Sequence, residues 1–317
     1  MLDLRHFTAS ALQPLLDEER ENWARLLSWD YRSSAEMILR YVEGKILPGY
    51  VVLQQGRLAG YCFFVYEGSK GVIGDVFVRR EAMSVRDAAD SLLSNAIATL
   101  QQSPGVRRVE AQLLPHETGT LAGPFLREGF RQYPRLFMEL PLAPETRRRP
   151  PEGKPRLPAI PDGVEVRRWL EADYQPAAAV ITASYAGHMD ADINDQYRSA
   201  NGSLRFLNNI VRFPGCGVFD AAASFVAIDR STRALSGLVL CSRVREDVGH
   251  VTQVCVVPDW RGRRLGEALL RMTMAELQRR RFSALTLTVT QANRAVALYK
   301  RLGFGIGRVF DAFVWDE

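Results

Sequence analysis

The feature that most constrains the fold of this 317-residue chain is an internal duplication. The phrase "LYKRLGFGIGRVFDAFVW" near the C-terminus resembles "FLREGFRQYPRLFMEL" in the middle of the chain. Gly303-Phe304 and Gly129-Phe130 occupy matching places in the two phrases, roughly 175 residues apart, which is far longer than the repeat of a solenoid. We therefore expect two copies of one domain.

The two halves also share their order of predicted elements. Each begins with a strand and a helix and later closes with a strand, a helix and the shared phrase. Between them, "SFVAIDRSTRALSGLVLCSRV" in the second half corresponds to "GYVVLQQGRLAGYCFFVYEG" in the first, and each indicates two strands joined by a polar turn. The pattern predicts an α/β (α+β mixed) chain of two tandem domains, each a mostly antiparallel twisted sheet flanked by helices.

A proline-rich stretch, "PLAPETRRRPPEGKPRLPAIPDG", separates the halves. Prolines at this density remove amide donors and favour extended backbone, which is typical of a semi-rigid linker. We predict an N-terminal domain at residues 1–142, a linker at 143–162 and a C-terminal domain at 163–317. The arginines at 147–149 are interpreted as a solvated charge run rather than a binding site.

Composition excludes several classes of protein. The chain is 47% hydrophobic and 24% charged, as in ordinary globular proteins, and its net charge is +5. Its four cysteines form no CxxC pair, so neither a zinc site nor a disulfide framework is expected. There is no membrane-length apolar run and no signal-peptide pattern, and the arginines do not form a basic face mixed with aromatic residues. We expect a cytoplasmic protein without metal, membrane or nucleic-acid partners.

The stretch "VVPDWRGRRLGEALL" joins a predicted strand to a predicted helix through a loop rich in glycine and arginine. Pro258 ends the strand because it has no N–H for the ladder. The first turn of a helix has N–H groups without intrahelical partners and carries partial positive charge. With glycines that permit close approach, this combination suits a pyrophosphate group.

This stretch and the "LTLTVTQANRAVALYKRLGF" that follows resemble the signature of the GCN5-related N-acetyltransferase (GNAT) family. The resemblance implies that the strand binds the pantetheine of acetyl-CoA and the loop binds its pyrophosphate. Glycine often stands in that family where this chain has Arg264, and the family asparagine is displaced by one residue, to Asn293. The implied acetyl-CoA-binding residues are Val254, Cys255, Val256, Arg261, Gly262, Arg263, Arg264, Leu265, Gly266, Glu267 and Asn293.

Acetyl transfer to an amine requires one group that accepts a proton and one that donates a proton to the leaving thiolate. The resemblance implies that Tyr299 is the general acid. The fifth-strand run "LTLTVT" offers only threonines where some relatives have a glutamate. The base is predicted among the residues of the preceding strand and turn, with His250 and Glu246 as the chosen candidates and Asp247 and Gln253 as the others.

The acceptor is predicted to lie against the long polar segment "SYAGHMDADINDQYRSANGSLRFLNNIV". In the GNAT family this region forms one wall of the acceptor cleft, and its aspartates could attract a cationic amine. The alternative is that these aspartates cap helices and face water. The candidate substrate-binding residues are Tyr185, His188, Asp190, Asp192, Asn194 and Tyr197.

The N-terminal copy lacks the corresponding residues. Phe125 stands opposite Tyr299, and the stretch opposite the phosphate loop contains Asp87 and Asp90 and no glycine. We therefore expect acetyl-CoA only in the C-terminal domain, with transfer of an acetyl group to a primary amine of a small molecule or peptide. The alternative is a CoA-binding regulatory or scaffold protein without turnover.

Overall fold

The computed structural model describes residues 1–80, 84–142, 159–212 and 217–317. Within them the chain divides into two compact units. Unit 1 comprises Met1–Leu136 and Arg308–Glu317, and unit 2 comprises Phe137–Gly307. Residues 143–158 of the predicted linker, including the arginines at 147–149, lie outside the described residues.

The first half of the chain contains six strands and four α-helices among its described residues. In unit 1 the strand order is β1-β2-β3-β4-β5, with β13 next to β5, and only the β4–β5 pair is parallel. The elements are β1 (Leu2–Asp3), α1 (Ala9–Leu27), α2 (Arg32–Glu43), β2 (Gly49–Gln54), β3 (Arg57–Glu67), β4 (Lys70–Val78), α3 (Val85–Gln102), β5 (Arg108–Gln112), α4 (Ala122–Arg127) and β6 (Arg131–Pro141).

The second half repeats this plan. In unit 2 the order is β12-β11-β10-β9-β7, with β8 beside β10, and the β11–β12 pair is parallel. The elements are β7 (Val164–Arg168), α5 (Tyr174–Tyr185), α6 (Asp190–Ile193), α7 (Ala200–Arg212), β8 (Val218–Phe219), β9 (Phe225–Asp229), β10 (Leu235–Arg245), β11 (Val248–Val256), α8 (Leu265–Arg279), β12 (Ala284–Thr290), α9 (Ala295–Arg301) and β13 (Gly305–Asp316). The predicted fold class, tandem units with mostly antiparallel sheets and flanking helices, is confirmed.

Side-chain periodicity explains how α8 lies against its sheet. Leu265, Leu269 and Leu277 are buried and fall on one helical face, while the exposed face carries charges. A Cβ at Gly237 of β10 would lie 3.4 Å from the Leu269 side chain, so the helix packs closely on the sheet. This packing fixes the start of α8 beside the end of β11, where the candidate site lies.

The unit boundaries differ from the predicted domain boundaries at two strands, because both β6 and β13 pass from one unit to the other. The C-terminal strand belongs to unit 1 from Arg308 onward. Its residues Ala312–Asp316 pair with β5, and the Phe313 ring stacks on Phe125 at a centroid distance of 4.0 Å. The end of the chain therefore completes the sheet of the first unit, whereas the predicted division kept it with residues 163–317.

Replacement of Phe313 by alanine should destabilise unit 1. Phe313 is 1% exposed, and truncation of a fully buried phenylalanine typically costs about 3–5 kcal/mol of the free energy of unfolding. Amide hydrogen exchange should show the loss of protection in β5, the direct partner of this strand. The matched control is Ile306→Ala on the same strand, which removes a side chain that is largely exposed. Faster exchange confined to unit 2 would contradict the assignment of β13 to unit 1.

Unit 1 also contains a pair of buried carboxyl groups that the sequence analysis did not identify. Glu19 of α1 is 2% exposed, and the Tyr61 hydroxyl donates a hydrogen bond to it. Burial, reinforced by the nearby Asp75 carboxyl, raises the pKa of Glu19 well above its ordinary value. Burial also raises the pKa of Asp75. Each carboxyl group therefore takes up its proton at a higher pH in the folded protein than it would in water.

This pair should make the stability of unit 1 decline as the pH rises. A raised pKa in the folded state stabilises the fold below the unfolded value, near pH 4 for a glutamate, and that contribution is lost as the pH rises through the folded pKa. We expect Glu19→Gln to flatten this decline, as measured by urea unfolding between pH 4 and pH 8. Glu21→Gln changes an exposed carboxyl on the same helix and should leave the slope unaltered. Equal slopes for wild type and Glu19→Gln would refute the prediction.

Candidate active site

The β11 and β12 strands separate along their length. Their parallel register covers Val248–Val251 opposite Ala284–Leu287, but β11 continues to Val256, still paired with β10. Among the described residues, no strand pairs with the other edge of residues 252–256. We call this opening the β11–β12 wedge. It leaves main-chain hydrogen-bonding groups available along one edge of a strand.

The alternation of the strand decides which residues face the wedge. The N–H of Val257 donates to Ser236 on the β10 side, so the main-chain groups of Val256 and Val254 face the opposite way. The predicted contact at Cys255 is not supported, because its main chain faces β10 and its side chain packs in the hydrophobic core. Burial raises the pKa of that thiol to about 12, so it stays protonated.

The loop after β11 adopts two left-handed backbone conformations. Gly262 has φ +74° and Arg264 has φ +61°. A side chain in this region costs free energy, of order 1 kcal/mol. This explains why glycine would suit the position of Arg264.

The N-terminus of α8 is not capped by a side chain. Arg264 is the N-cap residue and makes no side-chain capping hydrogen bond, while its carbonyl accepts from the N–H of Ala268. The N–H groups of Leu265, Gly266 and Glu267 have no intrahelical partners in this first turn. They form a cluster of donors with partial positive charge at the mouth of the wedge.

Gly266 leaves open space that the protein itself does not need. The nearest heavy atom to a Cβ built at this position would be Val256 Cγ2, at 3.7 Å, which is an ordinary contact. Glycine inside a helix costs about 1 kcal/mol relative to alanine, and internal packing does not require it here. The geometry fits the close approach of a bound group to the helix.

The loop arginines have different roles. The Arg261 guanidinium donates to the Val256 carbonyl at 3.2 Å and to the Ser184 carbonyl at 2.5 Å, so it braces the loop, whereas the sequence predicted a contact to the ligand. Arg263 lies over the Trp260 ring at 4.7 Å. Arg263 and Arg264 are exposed, and Glu267 pairs with Arg271 at 2.9 Å. Positive charge therefore remains beside the helix N-terminus.

Tyr299 lies on α9, close to Asp190 and Cys255. It is 7% exposed, and its hydroxyl has no hydrogen-bond partner within the part of the chain that the structure describes. Burial, with an added effect from the Asp190 carboxylate, raises the pKa of Tyr299 above its ordinary value. The hydroxyl therefore holds its proton at neutral pH.

The Asp190 carboxylate is held by two donors. Thr290, at the end of β12, and Asn293, before α9, both donate to it, the latter at 3.0 Å. The Asn293 Oδ1 atom accepts from the N–H of Ala295 at 2.8 Å, so both ends of this amide are engaged within the protein. The side-chain contact to pantetheine predicted for Asn293 is thus replaced by a role in positioning Asp190.

Four of the predicted acceptor residues lie together. The Tyr185 and Tyr197 rings stack with centroids 4.2 Å apart, and His188 meets the Tyr185 ring edge-on at 5.3 Å. The His188 Nδ1 atom lies 3.5 Å from an Asp190 carboxylate oxygen. An aromatic surface and a carboxylate therefore adjoin Tyr299.

The other two predicted acceptor residues, Asp192 and Asn194, make contacts within their own segment of the chain. Asp192 is exposed and pairs with Arg198 at 3.4 Å. The Asn194 side chain accepts from the N–H of Gln196 at 3.1 Å, which starts the short helix at Asp195–Arg198. For Asp192 the alternative, that the aspartates of this segment face water, matches the structure, and Asn194 has a capping role that was not predicted.

The two chosen candidates for the base, Glu246 and His250, lie in different surroundings. Glu246 is exposed in the turn that precedes β11, and at about 3.3 Å per residue it lies about 26 Å or more from the wedge end of this nine-residue strand. It is thus too distant to act there. His250 is 5% exposed, with Nδ1 at 2.9 Å from the Thr286 hydroxyl and its ring stacked on Phe137. His188 is the more exposed imidazole and adjoins Asp190.

Two polar residues of this region were missed or assigned differently. Thr290 was not singled out, although the carboxyl ends of parallel strands form a shared edge where ligands commonly bind. Gln253 was considered only as a base. It is 4% exposed, accepts from the Tyr185 hydroxyl at 2.8 Å, and its Nε2 atom is buried without a hydrogen-bond partner.

Unit 1 repeats the wedge without the anion site. The β4–β5 register ends at Ile73 opposite Ala111, while β4 continues to Val78. The Ser84 side chain, however, caps the N-terminus of α3 by accepting from the N–H of Asp87, and the Asp87 carboxylate adds negative charge there. Phe125 is fully buried against Phe313.

The described residues include no group of three or more His, Cys, Asp or Glu side chains placed to hold a metal ion. No helix among them combines the length and apolar character that crossing a membrane would require.

Comparisons with known proteins agree with this geometry. Residues 189–304 match the model of the Acetyltransferase (GNAT) family. A mycothiol acetyltransferase of Thermobifida fusca is 36% identical over 96 residues, a match that covers 27% of this chain and 29% of that protein. The match thus spans under a third of the curated relative.

Solved structures resemble nearly the whole chain in fold. A GCN5-related N-acetyltransferase from Sphaerobacter thermophilus has a TM-score of 0.64 at 17% identity, covering 93% of this chain and 91% of that one. A tandem GNAT protein from the clavulanic acid biosynthesis pathway has a TM-score of 0.53 at 17% identity, covering 98% and 97%. Residues 189–304 therefore match the GNAT family, and the fold of the chain resembles that of tandem GNAT proteins along nearly its whole length.

Proposed function

We propose that this protein is an acetyl-CoA-dependent N-acetyltransferase that acetylates a primary amine of a small molecule or peptide in its C-terminal unit. The observation that carries the proposal is the uncapped N-terminus of α8, with open space at Gly266, directly beside the β11–β12 wedge. The N–H groups of residues 265–267 and the charges of Arg263 and Arg264 would hold a pyrophosphate. The main-chain groups of Val254 and the N–H of Val256 would hold the pantetheine, while the Val256 carbonyl accepts from Arg261.

The residues around the wedge can perform both proton transfers. Bound acetyl-CoA supplies an acetyl group activated as a thioester. As the new C–N bond forms and the C–S bond breaks, Tyr299 donates its proton to the leaving sulfur. The His188 Nδ1 atom, which accepts a hydrogen bond from the N–H of Asp190 at 3.1 Å, gives up that bond and accepts the proton that the amine loses, and the Asp190 carboxylate stabilises the resulting imidazolium ion.

The N-terminal unit is proposed to bind no acetyl-CoA. Its α3 N-terminus is satisfied by Ser84, and Asp87 would repel a phosphate. Phe125 has no proton to donate. This unit keeps the fold while the chemistry belongs to unit 2.

The proposal is tested by incubating the full chain with acetyl-CoA and a panel of primary amines, including peptides and amino sugars. We expect release of CoA that depends on the amine, together with a product heavier than the amine by one acetyl group. Binding of acetyl-CoA without CoA release across the panel would contradict the enzymatic proposal and favour a regulatory or scaffold role.

A further inference from the structure

The opening between β4 and β5 in unit 1 has an acidic residue at the place where the β11–β12 wedge has an amide. Asp75 lies two residues beyond Ile73, the last residue of β4 in register with β5, and Gln253 lies two residues beyond Val251 of β11. In both strands a bulge in the antiparallel pairing precedes this residue. Asp75 therefore occupies in unit 1 the position that Gln253 occupies beside the candidate acceptor residues of unit 2.

A second buried carboxyl lies beside Asp75. Glu19 of α1 is 2% exposed and Asp75 is 3% exposed. The Tyr61 hydroxyl donates to Glu19 Oε2, and the N–H of Val76 donates to Asp75 at 2.8 Å. The Glu19 Oε1 atom, however, is buried and has no hydrogen-bond partner in the described chain. An unpaired buried acceptor is costly, and a donor from a bound ligand would satisfy it.

The carboxyl pair has no counter-ion from a long basic side chain. In the part of the chain that the structure describes, neither Glu19 nor Asp75 forms an ion pair with a lysine or an arginine, and Arg79 pairs with Glu18 instead, at 2.8 Å. His116 lies near Asp75, but its Nε2 atom donates to a main-chain carbonyl at 2.9 Å, and burial lowers its pKa. Because buried carboxylates are normally paired, a cationic ligand would supply what this pair lacks.

Aromatic rings adjoin the two carboxyls. Trp23 follows Glu19 by one helical turn; its ring stacks on Tyr31 with centroids 4.6 Å apart, and Trp29 meets it edge-on at 5.7 Å. Its Nε1 atom is close enough to lower the pKa of both carboxyls, yet it is buried without a hydrogen-bond acceptor in the described chain. Trp23 and His116 are partly exposed, so the cluster reaches the surface of unit 1. Carboxylates and aromatic rings together favour an organic cation.

We propose that unit 1 contains a second ligand site, in which Glu19 and Asp75 bind the primary ammonium group of a small organic amine beside the rings of Trp23 and Tyr31. Glu19 Oε1 accepts one hydrogen bond from the ammonium group. The site binds without catalysis, because Phe125 has no proton to donate and the N-terminus of α3 is already capped. It is independent of the proposed N-acetyltransferase function.

The Trp23 indole N–H reports on this site in the full chain. Its NMR signal is assigned by comparison with Trp23→Phe and is followed during titration with methylamine, with propylamine and with 1-propanol, which has the shape of propylamine without its charge. We expect a saturable movement of the signal with at least one amine and none with 1-propanol. Asp190→Asn alters the carboxylate of the unit 2 site and should leave this movement unchanged, which separates the two units.

Replacement of either carboxyl should weaken binding of the amine. Glu19→Gln and Asp75→Asn should each raise its dissociation constant by about tenfold to a hundredfold, because each removes a charge-assisted hydrogen bond. Each amide has nearly the shape of the protonated acid that it replaces, so both variants should fold, as circular dichroism will show. Glu21→Gln changes an exposed carboxyl of the same helix and should leave the dissociation constant unchanged.

The affinity should also rise with pH. Burial raises the pKa of Glu19 and that of Asp75, and a carboxyl must lose its proton to pair with an ammonium group, whose own pKa is about 10. Burial favours the uncharged forms of the other titratable side chains around the pair, which are those of Tyr31, Tyr61, Cys62 and His116. We expect the dissociation constant of the amine to fall between pH 5 and pH 8.

Three results would overturn the inference. The first is the absence of any saturable movement with either amine, and the second is an equal movement with 1-propanol. The third is a wild-type dissociation constant in both Glu19→Gln and Asp75→Asn. None of these experiments involves acetyl-CoA, so each result leaves the proposed N-acetyltransferase function standing. A failure of that function would appear instead in the assay of CoA release.

Discussion

Gly266→Trp should abolish binding of acetyl-CoA. The indole would fill the space beside Val256 and cover the free N–H groups at the start of α8. The protein should still fold, because tryptophan has a higher helix propensity than glycine and the site faces an opening. Calorimetric titration should show no heat of binding, while circular dichroism should show an unchanged fold.

Gly266→Ala separates a loss of binding from misfolding. Its methyl group fits at 3.7 Å from Val256, and alanine in a helix should add about 1 kcal/mol to the free energy of unfolding. We expect this variant to be at least as stable as wild type and to bind acetyl-CoA more weakly. Wild-type affinity in Gly266→Trp would show that the ligand does not approach this turn.

Tyr299→Phe should lower kcat by about a hundredfold or more, which is the usual contribution of a general acid. Its KM for acetyl-CoA should change little, because the variant removes one hydroxyl and leaves the loop intact. The buried ring should keep its packing against Phe304, at a centroid distance of 6.0 Å. Tyr174→Phe, which removes a hydroxyl bonded to the Leu204 carbonyl, is the control and should stay within about twofold.

The pH profile gives an independent test of Tyr299. A general acid must be protonated, and the raised pKa of Tyr299 extends its protonated range upward. Wild-type activity should therefore show no decline from tyrosine ionisation below about pH 10. An alkaline limb near neutral pH that disappears in Tyr299→Phe would contradict the raised pKa, and unchanged kcat in this variant would exclude it as the acid.

The features of the fold and of the candidate site that the sequence predicts are those that depend on local pattern. The repeated Gly-Phe phrases predict two similar units, and the glycine-rich loop after Val256 predicts the uncapped start of α8. Tyr185, His188, Asp190 and Tyr197 lie in one continuous segment, so their proximity is a local property. The left-handed loop conformation also follows from residue type at Gly262.

The predictions that differ from the structure concern contacts between residues that are far apart in the sequence. The terminal strands of the two halves are alike, so sequence could not show that β13 pairs with β5 and that Phe313 packs on Phe125. Glu246 was predicted as a base, but the length of β11 separates it from the far end of the wedge. Asn293 was assigned to a ligand because its partner, Asp190, lies about a hundred residues away in sequence.

The proposed function requires one acetyl-CoA site per chain, at the start of α8. Calorimetric titration of acetyl-CoA into the full wild-type chain tests it most directly. We predict a stoichiometry of one per chain. A stoichiometry of two would place a second site in the N-terminal unit despite its Ser84 cap, and an absence of binding would contradict the proposed function as a whole.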